Sequence, residues 1–204
     1  MKKILDIIYY SQYENVKDEY WKPRACSIVC LKMVLDYHLG VQPPSDSPAI
    51  EDLIKEGIYI KGLDENKDWI QDKIIMLARN HGVRAYRQEF KSFDIDLVKN
   101  EESESKYSNR ILDEGINKII TKLSMNNPVM VSVAKKFKEE KKFHMVVLTG
   151  FDVDNGGEVK GFYYNDTDYQ NEQEGKNLFV DIGTFKKFWR RLSIFVNNSK
   201  IGAI

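Results

Sequence analysis

The sequence predicts an α+β fold in which a helical half is followed by an antiparallel β half. Three observations predict it. Apolar residues recur at helical spacing in four segments, 26–39, 49–56, 68–81 and 111–124, all before the break at Asn126-Asn127-Pro128. Two short apolar runs, Val129–Val133 and Phe143–Phe151, come after it and suit buried strands. A turn sequence, Asp154-Asn155-Gly156-Gly157, then joins Phe143–Phe151 to Lys160–Asn165 as a hairpin.

The elements follow in order. Ile4 to Tyr10 is apolar and aromatic, and favours a strand. The N-terminus begins like a secretory signal, but Asp6 interrupts the apolar stretch and no small-residue cleavage site follows, so the run is read as a strand of the mature protein. Residues 13–24 form a polar loop containing Pro23. Ala25 to Gly40 reads as a helix that is apolar nearly all round and therefore central. Gly40 ends it, with Pro43 and Pro44 beyond. Gln42 to Ser47 is turn material. Ala49 to Glu56 is a short helix capped by Ser47 or Asp46 and stopped by Gly57, and Ile58-Tyr59-Ile60 is an extended piece. Asp68 to His81 is a stronger helix ended by Gly82, followed by a strand at Val83–Phe90. Residues 98–109 are charged and serine-rich, a candidate mobile loop. A helix at Ile111–Ser124, the strand Val129–Val133, a lysine- and glutamate-rich loop at 135–142 and the hairpin complete the middle of the chain. A helix through Phe185, Phe188 and Trp189 and a strand at Leu192–Val196 close it.

The chain has 204 residues, 42% hydrophobic and 30% charged, enough for one domain with a substantial core. Its helical lobe is expected over about 13–125, and its β lobe over about 126–204 together with the N-terminal strand. Lys+Arg 31 balance Asp+Glu 31, which gives no bulk electrostatic basis for binding nucleic acid or an anionic membrane. No apolar run reaches the length of a membrane span. The two cysteines, Cys26 and Cys30, stand four apart on one helix, where a disulfide would fight helical geometry. Reduced thiols in a cytoplasmic protein are expected.

Cys26 falls at the start of its helix, where backbone N–H groups lack partners and the helix dipole is positive. That setting lowers a thiol pKa. A small apolar core residue is the other reading of the same position. His144 opens a buried strand, and Asp166 ends the strand expected to pair with it. A two-residue turn at Asn155-Gly156 would place 144 opposite 167, bringing His144 and Asp166 to one end of the sheet. A carboxylate beside an imidazole fixes its tautomer and supports its charge, and a thiol beside that imidazole gives up its proton. Gln12, at the end of the first strand, offers a side-chain N–H for an oxyanion, with the Cys26 backbone N–H as a second donor. A zinc site at Cys26, Cys30 and His38 lacks a fourth ligand. Asp152 to Gly157 lacks the later ligands of a calcium loop. His38 and His81 fall near helix ends, in capping positions.

These pieces, in this order, resemble the peptidase C39-like family of papain-like cysteine peptidases. The resemblance is carried by Tyr9-Tyr10-Ser11-Gln12, by Cys26 to Gly40, by Asn127-Pro128-Val129-Met130-Val131, by His144 to Gly150, by Asn165-Asp166-Thr167, and by Phe185 to Trp189. Ser27 stands where the family has Gly, and Thr167 where it has Pro. The resemblance implies a papain-like fold, with the nucleophile helix packed on an antiparallel sheet. It implies a cysteine-type hydrolase, a peptidase, with Cys26 as nucleophile, His144 as general base and acid, Asp166 orienting His144 and Gln12 lining the oxyanion hole. Asn165 is the alternative orienter. A peptide or protein substrate is implied, and neither cofactor nor metal. Two further functions fit the same residues: a catalytically silent C39-like domain that binds a peptide, and a transglutaminase-like acyl transferase.

Overall fold

The computed structural model describes residues 1–40, 47–91, 108–139 and 142–200. It contains a seven-stranded, wholly antiparallel sheet with helices packed against it. The strands are β1 (Lys2–Ile4), β2 (Val83–Glu89), β3 (Val129–Ala134), β4 (Phe143–Val153), β5 (Val159–Asn165), β6 (Leu178–Asp181) and β7 (Trp189–Lys200). Their order is β2-β7-β3-β4-β5-β6, with β1 on the far end of β4, beyond the part that pairs with β3. The helices are α1 (Cys26–Leu39), α2 (Ile50–Tyr59), α3 (Gln71–Asn80), α4 (Asn109–Ser124), the single turn α5 (Glu172–Gly175) and α6 (Ile182–Phe188). Among the described residues, no helix is long and apolar enough to cross a membrane.

β3 and β4 lie in the middle of the sheet, which explains their composition. Every residue of β3 is buried, as are His144 to Phe151 of β4. A strand covered on both faces has no polar face to alternate with. α1 crosses β4 and is itself buried over Ser27–Asp36, so the helix read as apolar all round is enclosed. Gly40 ends it with φ 67, and its backbone N–H donates to the Asp36 carbonyl, the left-handed cap that glycine adopts without a Cβ clash.

Several elements differ from the sequence expectation. The first strand covers only Lys2–Ile4. The chain leaves the ladder soon after the Leu5 N–H bonds the Thr149 carbonyl. α2 runs through Gly57 to Tyr59, so Ile58-Tyr59 is helical. Gly57 is there for packing: a Cβ would lie 2.5 Å from the Trp69 ring. Ala49, not Ser47, is the N-cap of α2, and Asp46 lies outside the described residues with most of the 42–47 turn. α3 begins at Gln71, because Trp69 is held in a bridge to Leu63. Most of the 98–109 loop and residues 140–141 also lie outside the described residues. The loop expected at 135–142 opens with a 3-10 turn at Lys135–Phe137. His81 is the C-cap of α3, its backbone N–H bonding the Leu77 carbonyl at 3.2 Å, and its Nε2 pairs with Glu56 Oε2 at 2.8 Å and ties α3 to α2. β7 starts at Trp189 and is longer than expected, because it pairs with both β2 and β3. β2, from within the expected helical stretch, thereby joins the sheet.

The hairpin register also shifts. Val147 pairs with Asn165, and Phe151 with Phe162, so extrapolation would set 144 beyond 167. The turn is wider than two residues: Asp154 and Glu158 close it through an N–H to carbonyl bond of 2.9 Å. Asp154 Oδ1 accepts from the Gly156 and Glu158 N–H groups, at 2.9 Å each. Irregularities near Gly150 and Val153 complete the offset.

Candidate active site

Three segments meet at the end of the sheet where β4 begins and β5 ends. The first is the start of α1. Pro23 sits in a 3-10 turn at Lys22–Arg24, and the Arg24 carbonyl accepts a 2.9 Å bond from the Trp69 indole. Trp21 packs on Trp69, with ring centroids 5.7 Å apart. This anchorage fixes the point at which the chain enters α1 and presents Cys26 at its first residue. Cys26 is half-buried, whereas Cys30, one turn on, is wholly buried, with its sulfur 3.2 Å from the Met145 carbonyl. That contact lays α1 against β4 one residue beyond His144.

His144 is 5% exposed and Asp166 1% exposed. Their Nε2 and Oδ1 atoms are 2.6 Å apart. The same Asp166 oxygen accepts the Asp168 backbone N–H at 2.9 Å. Tyr9 donates its hydroxyl to the Asp166 carbonyl, and the Asp166 N–H bonds the Gly175 carbonyl at 2.9 Å. Asp166 is thus held at both its backbone and its side chain. With Nε2 engaged by Asp166, Nδ1 is the ring nitrogen left for Cys26.

The electrostatics follow. Burial works against a charged imidazole, but the bonds to Asp166 and Cys26 outweigh it and push His144 up to about 10. Burial likewise opposes a thiolate at Cys26, and the His144 ring overrides it, holding the thiol below its ordinary value. Asp166 also lies below the usual carboxylate range: the His144 bond and charge overcome its burial. The arrangement favours a thiolate and an imidazolium beside a carboxylate, the state in which a cysteine is nucleophilic. Cys30 moves the other way, since burial and the neighbouring Cys26 and Asp166 charges raise it.

Asn165, the alternative orienter, faces elsewhere. Its Oδ1 accepts the Asn177 N–H at 2.9 Å, and its amide nitrogen is 3.8 Å from Met33 Sδ. Ser27 Oγ lies 4.0 Å from Cys26 Sγ. Gln12 is 2% exposed and is fastened to the segment after β5. Its backbone N–H bonds the Thr167 carbonyl at 3.0 Å, and its Oε1 accepts the Thr167 hydroxyl at 2.9 Å. Its Nε2 faces Asp168 Oδ1 at 3.4 Å.

Sequence reasoning missed Asp168. It is 7% exposed, and its carboxylate also receives the Tyr13 hydroxyl at 2.8 Å and Lys135 Nζ at 2.9 Å. The available signal was a second aspartate two residues beyond Asp166, on a chain leaving the sheet. Among the described residues no group of His, Cys, Asp and Glu is arranged to hold a metal ion.

The fold and this cluster define the class: a papain-like α+β domain with a cysteine, a histidine and an aspartate at the junction of helix and sheet. The family model described as the Peptidase_C39 like family matches residues 4–194, and the chain belongs to that family. A C39-like peptidase structure from Bacillus anthracis aligns with 98% of this chain and 100% of its own, at 15% identity and a TM-score of 0.57. A double glycine motif protease from an AMS/PCAT transporter, solved with its leader peptide, aligns over 95% of this chain and 92% of its own. Its identity is 16% and its TM-score 0.51. At these identities the likeness is one of fold. No curated protein matches the sequence.

Proposed function

We propose that this protein is a cysteine peptidase that works through an acyl-enzyme on Cys26. The observation that carries the proposal is the buried 2.6 Å contact between the His144 ring and the Asp166 carboxylate, beside a Cys26 thiol whose pKa the ring lowers. In this reading the Cys26 thiolate attacks the scissile carbonyl. The Cys26 backbone N–H and the Gln12 amide bind the resulting oxyanion. His144 passes its proton to the leaving amine as the C–N bond breaks, leaving a thioester. It then takes a proton from water, which attacks the thioester and releases the acid and the thiol. Asp166 keeps the ring turned with Nδ1 toward sulfur. The substrate is a peptide, as for the structural relative that holds a leader peptide. A reducing compartment such as the cytoplasm suits two free thiols, one of them required as such.

The test pairs a fluorogenic peptide library with iodoacetamide. Wild type is expected to cleave members of the library and to alkylate Cys26 rapidly at neutral pH. Cys26→Ala should abolish cleavage, and His144→Ala should slow both reactions. Alkylation of Cys26 no faster than that of an ordinary free thiol would overturn the reading.

A further inference from the structure

Asp168 is the most heavily engaged carboxylate next to the site, and the mechanism above leaves it without a role. Four side chains from two separate segments, 12–13 and 135–136, converge on it. Tyr13 donates to Oδ1 at 2.8 Å, Lys135 Nζ lies 2.9 Å from the same oxygen, and Gln12 Nε2 lies 3.4 Å from it. Lys136 Nζ stands 3.8 Å from Oδ2. Its own backbone N–H reaches Asp166 Oδ1 at 2.9 Å, the atom that holds His144. The side chain is 3% exposed, so these contacts are made out of bulk water.

The consequence falls on Gln12. An amide side chain has two orientations of similar shape, and only one presents N–H to an oxyanion. A carboxylate is acceptor-only and rejects the amide oxygen. The Thr167 hydroxyl donates to Oε1 from the other side. Together Asp168 and Thr167 select one orientation of the amide. The Gln12 nitrogen carries two hydrogens: Asp168 takes one and leaves the other for an oxyanion. The Lys135 ammonium, raised in pKa by the carboxylate against the pull of burial, keeps Asp168 compensated in its enclosed position.

We propose that Asp168 is a positioning residue which, with Thr167, sets the Gln12 amide as an oxyanion donor. The proposal rests on the peptidase reading, so its test must separate the two. Alkylation by iodoacetamide is a displacement at carbon with no oxyanion. Acylation of the same thiol by p-nitrophenyl acetate passes through a tetrahedral oxyanion and releases p-nitrophenolate. Loss of an oxyanion donor costs about a hundredfold or more, and misorientation of a retained donor is expected to cost about tenfold. Asp168→Ala should therefore slow Cys26 acylation about tenfold and leave alkylation within about twofold. In a Gln12→Ala background the same change should have little further effect, because it acts through Gln12. Asp168→Asn, which keeps an acceptor oxygen but can also donate, should fall between wild type and Asp168→Ala. Thr167→Val removes the other half of the clamp and should also slow acylation selectively, which keeps the test open if Asp168→Ala folds poorly.

Equal loss of acylation and alkylation, an unchanged acylation rate, or full additivity with Gln12→Ala would each overturn the role of Asp168. Alkylation of wild-type Cys26 at the rate of an ordinary thiol would overturn the peptidase reading, and this role with it.

Discussion

Nε2 of His144 and Oδ1 of Asp166 lie 2.6 Å apart, and both side chains are almost wholly withdrawn from water. A short bond to a charged partner in such surroundings is stronger than one at the surface. It has two effects: it supports the charge on the ring, and it leaves Nδ1 to face Cys26. Asp166→Ala removes both. The variant is expected to alkylate Cys26 about tenfold more slowly than wild type at neutral pH, and to hydrolyse peptide at least about a hundredfold more slowly. Asp166→Asn, which can still accept from the ring, should fall between. Mass-spectrometric alkylation rates and single-turnover hydrolysis give the comparison. Equal rates in all three proteins would remove Asp166 from the mechanism.

The pH dependence is set by Cys26 and His144. Cys26 is lowered from the ordinary thiol range and His144 is raised to about 10, so the thiolate–imidazolium form occupies the interval between them. Hydrolysis should rise with pH on an acid limb below that of a free thiol and fall on an alkaline limb near pH 10 as His144 loses its proton. His144→Ala leaves only burial acting on Cys26, and its alkylation profile should move up to or beyond the ordinary thiol range. Stability has a defined sign too. A histidine raised from 6.5 to about 10 contributes fully below pH 6.5, and that contribution is lost as pH rises through about 10. Thermal unfolding of wild type should weaken over this window more than that of His144→Gln.

The parts of this fold legible in the sequence were those set by local periodicity and capping. α1 reads directly from its apolar spacing and Gly40, and β3 and β4 read from unbroken apolar runs. Gly57 misled, because a glycine that admits the Trp69 ring carries the same letter as one that ends a helix. The nearness of His144 to Asp166 followed from hairpin logic, although the register itself was offset by the Asp154 turn. The surroundings of Gln12 were not legible. They depend on the 167–168 segment and Lys135 meeting Gln12 and Tyr13 from distant parts of the chain, and no period or spacing encodes that convergence.

The interior of α1 supplies another test. Within a helix read as apolar, Lys32 and Asp36 form a buried pair at 2.7 Å, side chains 9% and 2% exposed. Tyr10 donates to the second Asp36 oxygen at 2.7 Å, and Lys32 also reaches Ser47 at 3.0 Å. Removing one member leaves an uncompensated buried charge. Lys32→Ala is expected to destabilise the fold by about 3 kcal/mol, a fall in Tm of roughly 10 °C. Replacing both members, as in Lys32→Met with Asp36→Leu, removes the desolvation penalty together with the attraction and should cost less than Lys32→Ala alone. Calorimetry of the two variants decides whether the pair must be broken, or only unbalanced, to loosen the helix that carries Cys26.

The two cysteines should part completely in reactivity. Cys26 is partly open to solvent beside a charged ring, whereas Cys30 is fully buried, aimed at the Met145 carbonyl, and raised in pKa by its burial. One helical turn separates them, so any difference comes from surroundings and not from sequence neighbourhood. Native wild type should therefore take up one equivalent of iodoacetamide at neutral pH, and Cys26→Ala none. Both thiols of wild type should react once the chain is unfolded in guanidinium. Cys30→Ala should keep the wild-type alkylation rate at Cys26 and lose only stability, by about 1–2 kcal/mol for the small cavity left against β4. Rapid native labelling at Cys30 would show that α1 parts from β4 in solution, and would undo the placement of Cys26 that the rest of the site depends on.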